Sequence, residues 1–97
     1  MKILNRKLLD KFINKHADAE SALQHWIDIV EEAGWKSHNE LKLDFPSADY
    51  VGNSRYVFNI RGNNYRMVVV VVYIRGSLTI RFLGTHKEYE KIDCKTI

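Results

Sequence analysis

A valine-rich segment in the second half of the chain constrains the fold more than any other feature. Tyr65 to Ile74 contains five consecutive valines, and β-branched residues favour strands over helices. Its apolar run is far shorter than the roughly 20 residues that span a bilayer. Segments of alternating polarity, Arg55–Arg61 and Leu78–Gly84, flank it, and Asn63-Asn64 and Gly76-Ser77 suit two-residue hairpin turns. The sequence therefore predicts a meander of three antiparallel strands.

The N-terminal part of the chain predicts helices. Asn5 and Asp18 are the predicted N-caps of two helices. Ser37 and Glu40 form a capping-box pattern for a short third turn, and residues 2–4 predict a short edge strand. Apolar residues recur at helical spacing in both helices and predict their buried stripes: Leu8, Leu9, Phe12 and Ile13 in the first, and Leu23, Trp26, Ile27 and Val30 in the second.

The length and composition suit one domain, residues 1–97. The chain has 97 residues, of which 45% are hydrophobic, so it can bury one core. We expect an α+β fold, a small twisted, mainly antiparallel β-sheet with the two N-terminal helices packed on one face. The single cysteine, Cys94, excludes an internal disulfide and suits a reducing compartment. The N-terminus lacks the apolar run of a signal peptide, so we expect a soluble, cytoplasmic protein with no membrane partner.

Positive charge is concentrated in the second half of the chain. Residues 1–50 carry seven Lys or Arg and nine Asp or Glu, a net charge of −2, whereas residues 51–97 carry eight and three, a net charge of +5. Between Val51 and Gly84 there are five arginines, no lysine and no acidic residue. The planar guanidinium matches the geometry of phosphate oxygens. This composition favours a phosphate-binding surface, with an ordinary basic surface as the alternative.

The predicted turns sort the strand residues onto two faces, because side chains alternate along a strand. They place Arg61 opposite Arg66, Asn59 opposite Val68, and Val72 opposite Arg81. The apolar face, which must meet the helices, carries Tyr56, Phe58, Ile60, Met67, Val69, Val71, Tyr73, Ile80 and Phe82. The other face carries Asn59, Arg61, Arg66, Thr79 and Arg81 around Val68, Val70 and Val72.

Three arginines without an acidic partner meet on this second face. Arg61, Arg66 and Arg81 repel one another there, and burying them unpaired would cost several kcal/mol. An anionic ligand explains the arrangement. Carboxylates from the helices, folded over the same face, would explain it as well.

A short polar motif follows the last predicted strand. Thr85 and Glu88 fit a capping box, so a short helix is expected to begin here. His86 and Tyr89 are three residues apart and would share a face of its first turn, with Lys87 beside them. The start of a helix also presents free backbone N–H groups, which suit a phosphate.

These residue types match the needs of metal-free RNA cleavage, in which the 2′-OH of the RNA attacks the neighbouring phosphorus. His86 can act as acid or base near neutral pH. Arg66 and Arg81 can stabilise the charge of the transition state, and Tyr89 can stack on a base or pass a proton. The candidate RNA-binding residues around these four catalytic candidates are Arg55, Asn59, Arg61 and Lys87.

Each of these residues also has a purely structural interpretation. His86 can be a surface or capping residue, and Tyr89 can close the core. The other histidines, His16, His25 and His38, show no metal-ligand spacing. We therefore expect neither a metal nor another cofactor.

Three segments of the chain resemble the HigB branch of the RelE toxin superfamily: Arg55–Ile60, Tyr65–Val69 and Gly84–Tyr89. The similarity is strongest over residues 44–92, where Phe45-Pro46-Ser47 and the Thr-His-Lys-Glu-Tyr stretch are its most specific parts. The resemblance implies a RelE-like microbial ribonuclease fold, with two helices on one face of the sheet and the RNA site on the other. It also implies a ribosome-dependent mRNA endoribonuclease that inhibits translation and binds a helix-turn-helix antitoxin in a hetero-oligomer.

The resemblance carries over three candidate residues and leaves two alternatives open. Arg66 matches the arginine of the family's central Tyr-Arg strand, and His86 and Tyr89 match its C-terminal motif. RelE itself has lysines on the preceding strand, where this chain has Val57 and Asn59, so weight shifts to His86 as general base.

One alternative is a ParE-like toxin that inhibits a protein such as gyrase, against which the His86 and Tyr89 pair argues. The other is a non-catalytic RNA-binding module, whose usual aromatic platform is missing from the predicted arginine face.

Overall fold

The structure, a computed structural model describing residues 1–97, has an α+β fold built on one five-stranded sheet. Its strands are β1 (Lys2–Leu4), β2 (Asp49–Gly52), β3 (Arg55–Ile60), β4 (Tyr65–Val72) and β5 (Ser77–Thr85). Its helices are α1 (Lys7–Lys15), α2 (Glu20–Glu32), α3 (His38–Asp44) and α4 (His86–Tyr89), with 3₁₀ turns at Ala17–Ala19 and Tyr73–Arg75. The strand order is β1-β5-β4-β3-β2, with β1 parallel to β5 and every other pair antiparallel. The predicted fold class and the edge strand at residues 2–4 are confirmed.

The two predicted N-terminal helices are present, but their predicted caps are wrong. Asn5 has a positive φ of 66° and donates from its side chain to the Ile80 backbone oxygen, so it is not available to α1. Asp18 lies in a 3₁₀ turn that leads into α2, and its carboxylate accepts from the Tyr65 hydroxyl instead. In both cases a long-range partner takes the side chain away from the local cap. The predicted Ser37 cap of α3 is confirmed, since its hydroxyl accepts from the Glu40 backbone N–H.

The core lies between the helices and one face of the sheet. Leu9, Phe12 and the whole predicted stripe of α2 are buried there, and Leu8 and Ile13 pack at its edge. Perpendicular aromatic contacts join the two layers, with Trp26 and Phe58 at 5.6 Å between ring centroids. These contacts confirm the predicted packing of the helices on one face.

The sheet has one antiparallel strand that the sequence pattern did not predict. β2 is only four residues long and lies at the edge of the sheet, where Asp49 and Tyr50 are exposed. A turn of Asn53 and Ser54, both with positive φ, returns the chain to β3. A strand this short and this exposed lacks the alternation of polar and apolar residues by which a strand is predicted from sequence.

The predicted register of the first hairpin is wrong by two residues. Ile60 pairs with Tyr65 and Asn59 pairs with Arg66, so the turn has four residues, 61–64, rather than two. Arg61 adopts a positive φ of 53° in this turn and does not lie opposite Arg66. Because the shift is an even number of residues, the division of β3 and β4 into two faces survives.

The predicted register of the second hairpin is also wrong. The chain leaves β4 through the 3₁₀ turn at Tyr73–Arg75, and Val72 pairs with Ser77 instead of Arg81. A β-bulge then places Ile80 opposite Val69 but Phe82 opposite Val68, which leaves Arg81 as the extra residue. A bulge reverses the alternation beyond it, so Phe82 lies on the face away from the helices and not on the predicted apolar face.

None of the helices has the length and apolar character needed to cross a membrane.

Candidate functional site

The candidate site lies on the sheet face opposite the helices, where β4 and β5 pair near α4. Arg66 is the central residue, with Asn59 of β3 on one side and Gly84 of β5 on the other. The chain's ion pairs involve Arg6, Arg61 and His86, so the Arg66 guanidinium has no carboxylate partner. Its Nε is buried and makes no hydrogen bond. A partly buried guanidinium without a carboxylate partner is suited to bind an anion.

Tyr89 of α4 forms the platform for this arginine. The Arg66 Cζ atom lies 5.0 Å from the centroid of the Tyr89 ring, in a cation–π contact. Burial raises the pKa of the Tyr89 hydroxyl, and a hydrogen bond with the Cys94 side chain raises it further, while Arg66 acts in the opposite direction. Tyr89 is therefore protonated at neutral pH and can donate a hydrogen bond or a proton.

Gly84 and Phe82 complete the floor of the site, and neither was among the predicted site residues. The Phe82 and Tyr89 rings lie 6.4 Å apart between centroids, so Phe82 adds an aromatic side chain beside the predicted Tyr89, on a sheet face where no aromatic strand residue was expected. A Cβ at Gly84 would lie 2.6 Å from the Phe82 ring and 3.0 Å from a Glu88 carboxylate oxygen. Glycine inside a strand signals such a close approach, whereas nothing in the local sequence reveals the bulge that turns Phe82 to this face.

A confirmed capping box orients the predicted catalytic motif. The Thr85 hydroxyl accepts from the Glu88 backbone N–H at 3.2 Å, and the Glu88 carboxylate accepts from the Thr85 backbone N–H at 2.8 Å. The Thr85 backbone N–H, which donates to the Glu88 carboxylate, lowers the pKa of Glu88 most, and the Thr85 side chain lowers it further. The two hydrogen bonds fix the start of α4, which carries both His86 and Tyr89, directly at the end of β5.

His86 lies half-exposed at the rim of the site. Its Nδ1 is 3.9 Å from a Glu90 carboxylate oxygen, too far for a hydrogen bond but close enough for an ion pair when the imidazole is protonated. Arg81 and Lys87 are exposed and have no ion-pair partner, and Asn59 is exposed beside Arg66. The structure thus brings His86, Lys87 and Tyr89 to the end of the sheet where Arg66 and Asn59 lie, with Arg81 at the bulge farther along β5.

Two predicted RNA-binding arginines are engaged elsewhere. Arg61 pairs with Asp18 at 3.1 Å, on the side of the helices. Arg55 donates from Nε and Nη2 to the backbone oxygen of Ile97, at 3.0 and 2.8 Å. The predicted convergence of three arginines is therefore wrong, because the first hairpin turn removes Arg61 and the bulge displaces Arg81. Arg66 alone remains at the centre of the site.

The C-terminal segment 90–97 crosses part of the face that the sequence predicted to be open. Besides its bonds to Arg55, it accepts a hydrogen bond at the Lys95 backbone oxygen from the Asn53 side chain. Val57 and Val68 of this face are 2% and 0% exposed, although neither belongs to the core on the helix side. The bonds from Asn53 and Arg55 hold this segment at the start of β3, on the part of the face away from Arg66.

The arrangement can bind a phosphate and transfer protons beside it. An unpaired guanidinium offers a fork of donors to phosphoryl oxygens, Tyr89 offers a protonated hydroxyl, and His86 offers an imidazole that can accept or donate a proton. No three His, Cys, Asp or Glu side chains come together in a cluster that could hold a metal ion.

Comparison with protein families gives one match that covers most of the chain. The family model is that of the HigB toxin, described as the RelE-like toxic component of a toxin-antitoxin system, and it matches residues 19–92. This range contains Arg66, His86 and Tyr89 and excludes β1 and α1.

Individual relatives match over nearly the full length of the chain. The mRNA interferase toxin HigB of Escherichia coli K12 is 31% identical over 93 residues, which cover 93% of this chain and 88% of the relative. The mRNA interferase HigB of Shigella flexneri is equally similar. The mRNA interferase HigB of Escherichia coli O6:H1 is 22% identical over 94 residues, covering 95% of this chain and 91% of the relative.

Proposed function

Because the chain belongs to the HigB toxin family, the RelE-like toxic components of toxin-antitoxin systems, we propose that it is an endoribonuclease that cleaves mRNA on the ribosome and so inhibits translation. The observation that carries this proposal is the unpaired Arg66 guanidinium held on the Tyr89 ring, one turn of α4 from His86. This arrangement suits an anionic ligand, and relatives of the chain are named mRNA interferases.

The proposed reaction uses the 2′-OH of the RNA as the nucleophile. Its oxygen attacks the adjacent phosphorus, the bond from phosphorus to the 5′-oxygen breaks, and a 2′,3′-cyclic phosphate and a 5′-hydroxyl result. His86 accepts the proton of the 2′-OH, since no lysine lies on β3 to take that role. Tyr89, which is protonated at neutral pH, donates to the departing 5′-oxygen.

Arg66 binds the scissile phosphate and stabilises the charge that develops on it. A partly buried guanidinium acts at lower dielectric than one in water, which strengthens this interaction. Arg81 and Lys87, both exposed and free of ion pairs, add positive charge along the path of the RNA. Asn59 can hydrogen-bond a neighbouring nucleotide from its place beside Arg66.

A toxin of this family has a cognate antitoxin. We propose a helix-turn-helix protein that presents an acidic segment to the second half of the chain, where the net charge is +5. Such an antitoxin either covers the Arg66 surface or prevents entry to the ribosome.

Mapping transcript 5′ ends after induced expression of the chain tests the proposed function. New 5′ ends bearing a hydroxyl are expected inside translated messages, together with arrested growth. A reporter message that lacks a ribosome-binding site is the matched control and is expected to stay intact. Arrested growth with unchanged 5′ ends would contradict nuclease activity and favour the ParE-like inhibitor, whereas equal cleavage of both messages would contradict ribosome dependence.

A further inference from the structure

A row of lysines runs along the exposed surface of α1. Lys7, Lys11 and Lys15 are spaced four residues apart, so they follow one another along one side of the helix. All three are exposed, and none takes part in an ion pair. Like charges at this spacing destabilise a helix slightly, so the row is not explained by the stability of α1.

The row borders a cleft of about 400 Å³ between α1 and the end of β5. Lys11 and Lys15 line its wall, and Leu8, Phe12 and Leu83 form an apolar floor. The His16 ring, which also lines the cleft, stacks on Phe12 with 4.5 Å between ring centroids. Cations beside an apolar and aromatic floor suit a nucleotide, because the cations can bind its phosphate while the aromatic floor can pack against its base or ribose.

Acidic groups near the cleft offset only part of its positive charge. Glu88 lines the cleft, and besides its Thr85 hydrogen bonds the charges of His16 and Lys15 help to lower the pKa of its carboxylate. Glu88 nevertheless forms no ion pair with Lys11 or Lys15. Asp18, two residues beyond His16, is bound by Tyr65 and Arg61. Asp10 lies on α1 among the lysines and is outnumbered by them.

The cleft adjoins the proposed active site. Its lining residue Glu88 belongs to α4, the same helix that carries His86, Lys87 and Tyr89. α4 is therefore a wall shared by the cleft and the Arg66 site. An RNA strand that passes the scissile phosphate over Arg66 can cross α4 at Lys87 and continue along α1.

We infer that the cleft and the lysine row (Lys7, Lys11, Lys15 and His16) form a second RNA-binding surface that holds the phosphates and one nucleotide of RNA next to the Arg66 site. This inference rests on the proposed function, since it assumes that RNA occupies the Arg66 site. The bound strand is either the mRNA beyond the cut or ribosomal RNA, both of which present the same phosphates.

The test compares the double variant Lys11→Ala/Lys15→Ala with Lys2→Ala/Lys36→Ala. The control pair removes the same charge from exposed lysines at the opposite end of the sheet, near Gly76. Binding is measured by fluorescence anisotropy over a range of salt concentrations, with melting temperatures measured beside it. One arm uses a 2′-O-methylated oligoribonucleotide, which cannot be cleaved, and the other uses ribosomes programmed with mRNA methylated in the same way.

The Lys11→Ala/Lys15→Ala variant is expected to bind RNA more weakly, with a slope of log affinity against log salt that is smaller by about 1.4 for two lost phosphate contacts. The control pair is expected to leave the slope unchanged. A loss of affinity in both arms assigns the surface to the mRNA strand. A loss of affinity for programmed ribosomes alone assigns it to ribosomal RNA.

Unchanged binding in both arms would overturn the inference, and so would a loss of affinity for the antitoxin alone, which would assign the lysine row to a protein partner. His86→Ala separates the two proposals, because it is expected to slow cleavage by roughly 10²–10⁴-fold while keeping the wild-type salt slope. Normal cleavage by Lys11→Ala/Lys15→Ala with an unchanged salt slope would contradict only the second RNA-binding surface and would leave the proposed function standing. A wild-type chain that neither binds nor cleaves RNA would contradict both the proposed function and the second RNA-binding surface.

Discussion

At the scale of single residues, Arg66 differs from Arg55 and Arg61 because it lacks a protein acceptor, and from the exposed Arg81 because it is partly buried. Arg55 and Arg61 have protein acceptors, namely the Ile97 backbone oxygen and the Asp18 carboxylate. Arg66 has the Tyr89 ring and a buried Nε without a partner. The sequence predicted Arg66 because of its strand position, but it could not separate the three, since their partners come from segments distant in sequence.

Arg66→Ala is expected to weaken RNA binding and to slow cleavage, because it removes a charge felt by the bound phosphate and by the transition state alike. Arg66→Lys keeps the charge but loses the planar fork and its stacking on Tyr89, so it is expected to recover binding more than rate. Single-turnover cleavage and equilibrium binding on programmed ribosomes measure the two effects. A lysine variant with the full wild-type rate would contradict a specific role for the guanidinium.

Tyr89→Phe is expected to keep the platform for Arg66 and to lose the hydroxyl that donates to the 5′-oxygen. The cleavage rate should therefore fall by at least about tenfold, within the range that general acid catalysis contributes, while RNA affinity stays near wild type. Tyr89→Leu should lose affinity as well, because the cation–π contact disappears. Equal rates for Tyr89→Phe and wild type would restrict Tyr89 to positioning Arg66.

At the scale of secondary-structure elements, β5 and α4 decide the geometry of the site. The sequence predicted β5 from its alternation and α4 from the Thr85 and Glu88 capping box, and both are present. It could not predict the bulge, because a bulge depends on the pairing between β4 and β5 and not on the composition of either strand. For that reason the sequence predicted the positions of Phe82 and Arg81 wrongly.

Gly84→Ala is expected to destabilise the protein by about 1–3 kcal/mol, the usual cost of overpacking. The new methyl group would meet the Phe82 ring and the Glu88 side chain. Both contacts support α4, so cleavage should fall together with the melting temperature. Thermal unfolding of Gly84→Ala beside Gly34→Ala, where a Cβ meets nothing within 4 Å, provides the comparison, and an unchanged melting temperature in both would contradict the close approach.

Thr85→Ala is expected to cost about 1 kcal/mol, as the loss of an N-cap usually does, and to reduce cleavage because α4 frays. The lowered pKa of Glu88 gives this element a pH dependence. Ionised Glu88 stabilises the folded state above the pKa that it has in the unfolded chain, and that contribution is lost as the pH falls through the folded-state pKa. Glu88→Ala should remove this acid-range change in melting temperature, and a variant that keeps the full change would assign it to other carboxylates.

At the scale of the whole molecule, one face of the sheet is buried and the other is partly accessible. One face is filled by the helices and holds the core, which the sequence pattern predicted correctly for β3 and β4 because the register error between them was an even shift. The prediction was wrong for Phe82 of β5, which lies beyond the bulge. The other face is divided between the segment 90–97 and the open Arg66 surface. That division was not predictable, since it depends on where a polar segment without periodicity crosses the sheet.

Antitoxin binding is expected to weaken as salt concentration rises, because the acidic segment that we propose for it meets the +5 net charge of residues 51–97. The measurement is the dissociation constant of the complex at several salt concentrations. An affinity that does not depend on salt would contradict an electrostatic interface.

Single-turnover cleavage of mRNA on programmed ribosomes by His86→Ala tests whether Arg66, His86 and Tyr89 form an RNA-cleaving site. His25→Ala is the matched control, since His25 is exposed on α2, which packs on the face of the sheet opposite Arg66. We expect His86→Ala to lose roughly 10²–10⁴-fold in rate while it keeps its melting temperature and its affinity for the ribosome, and His25→Ala to cleave as the wild type does. Cleavage by His86→Ala at the wild-type rate would contradict the account.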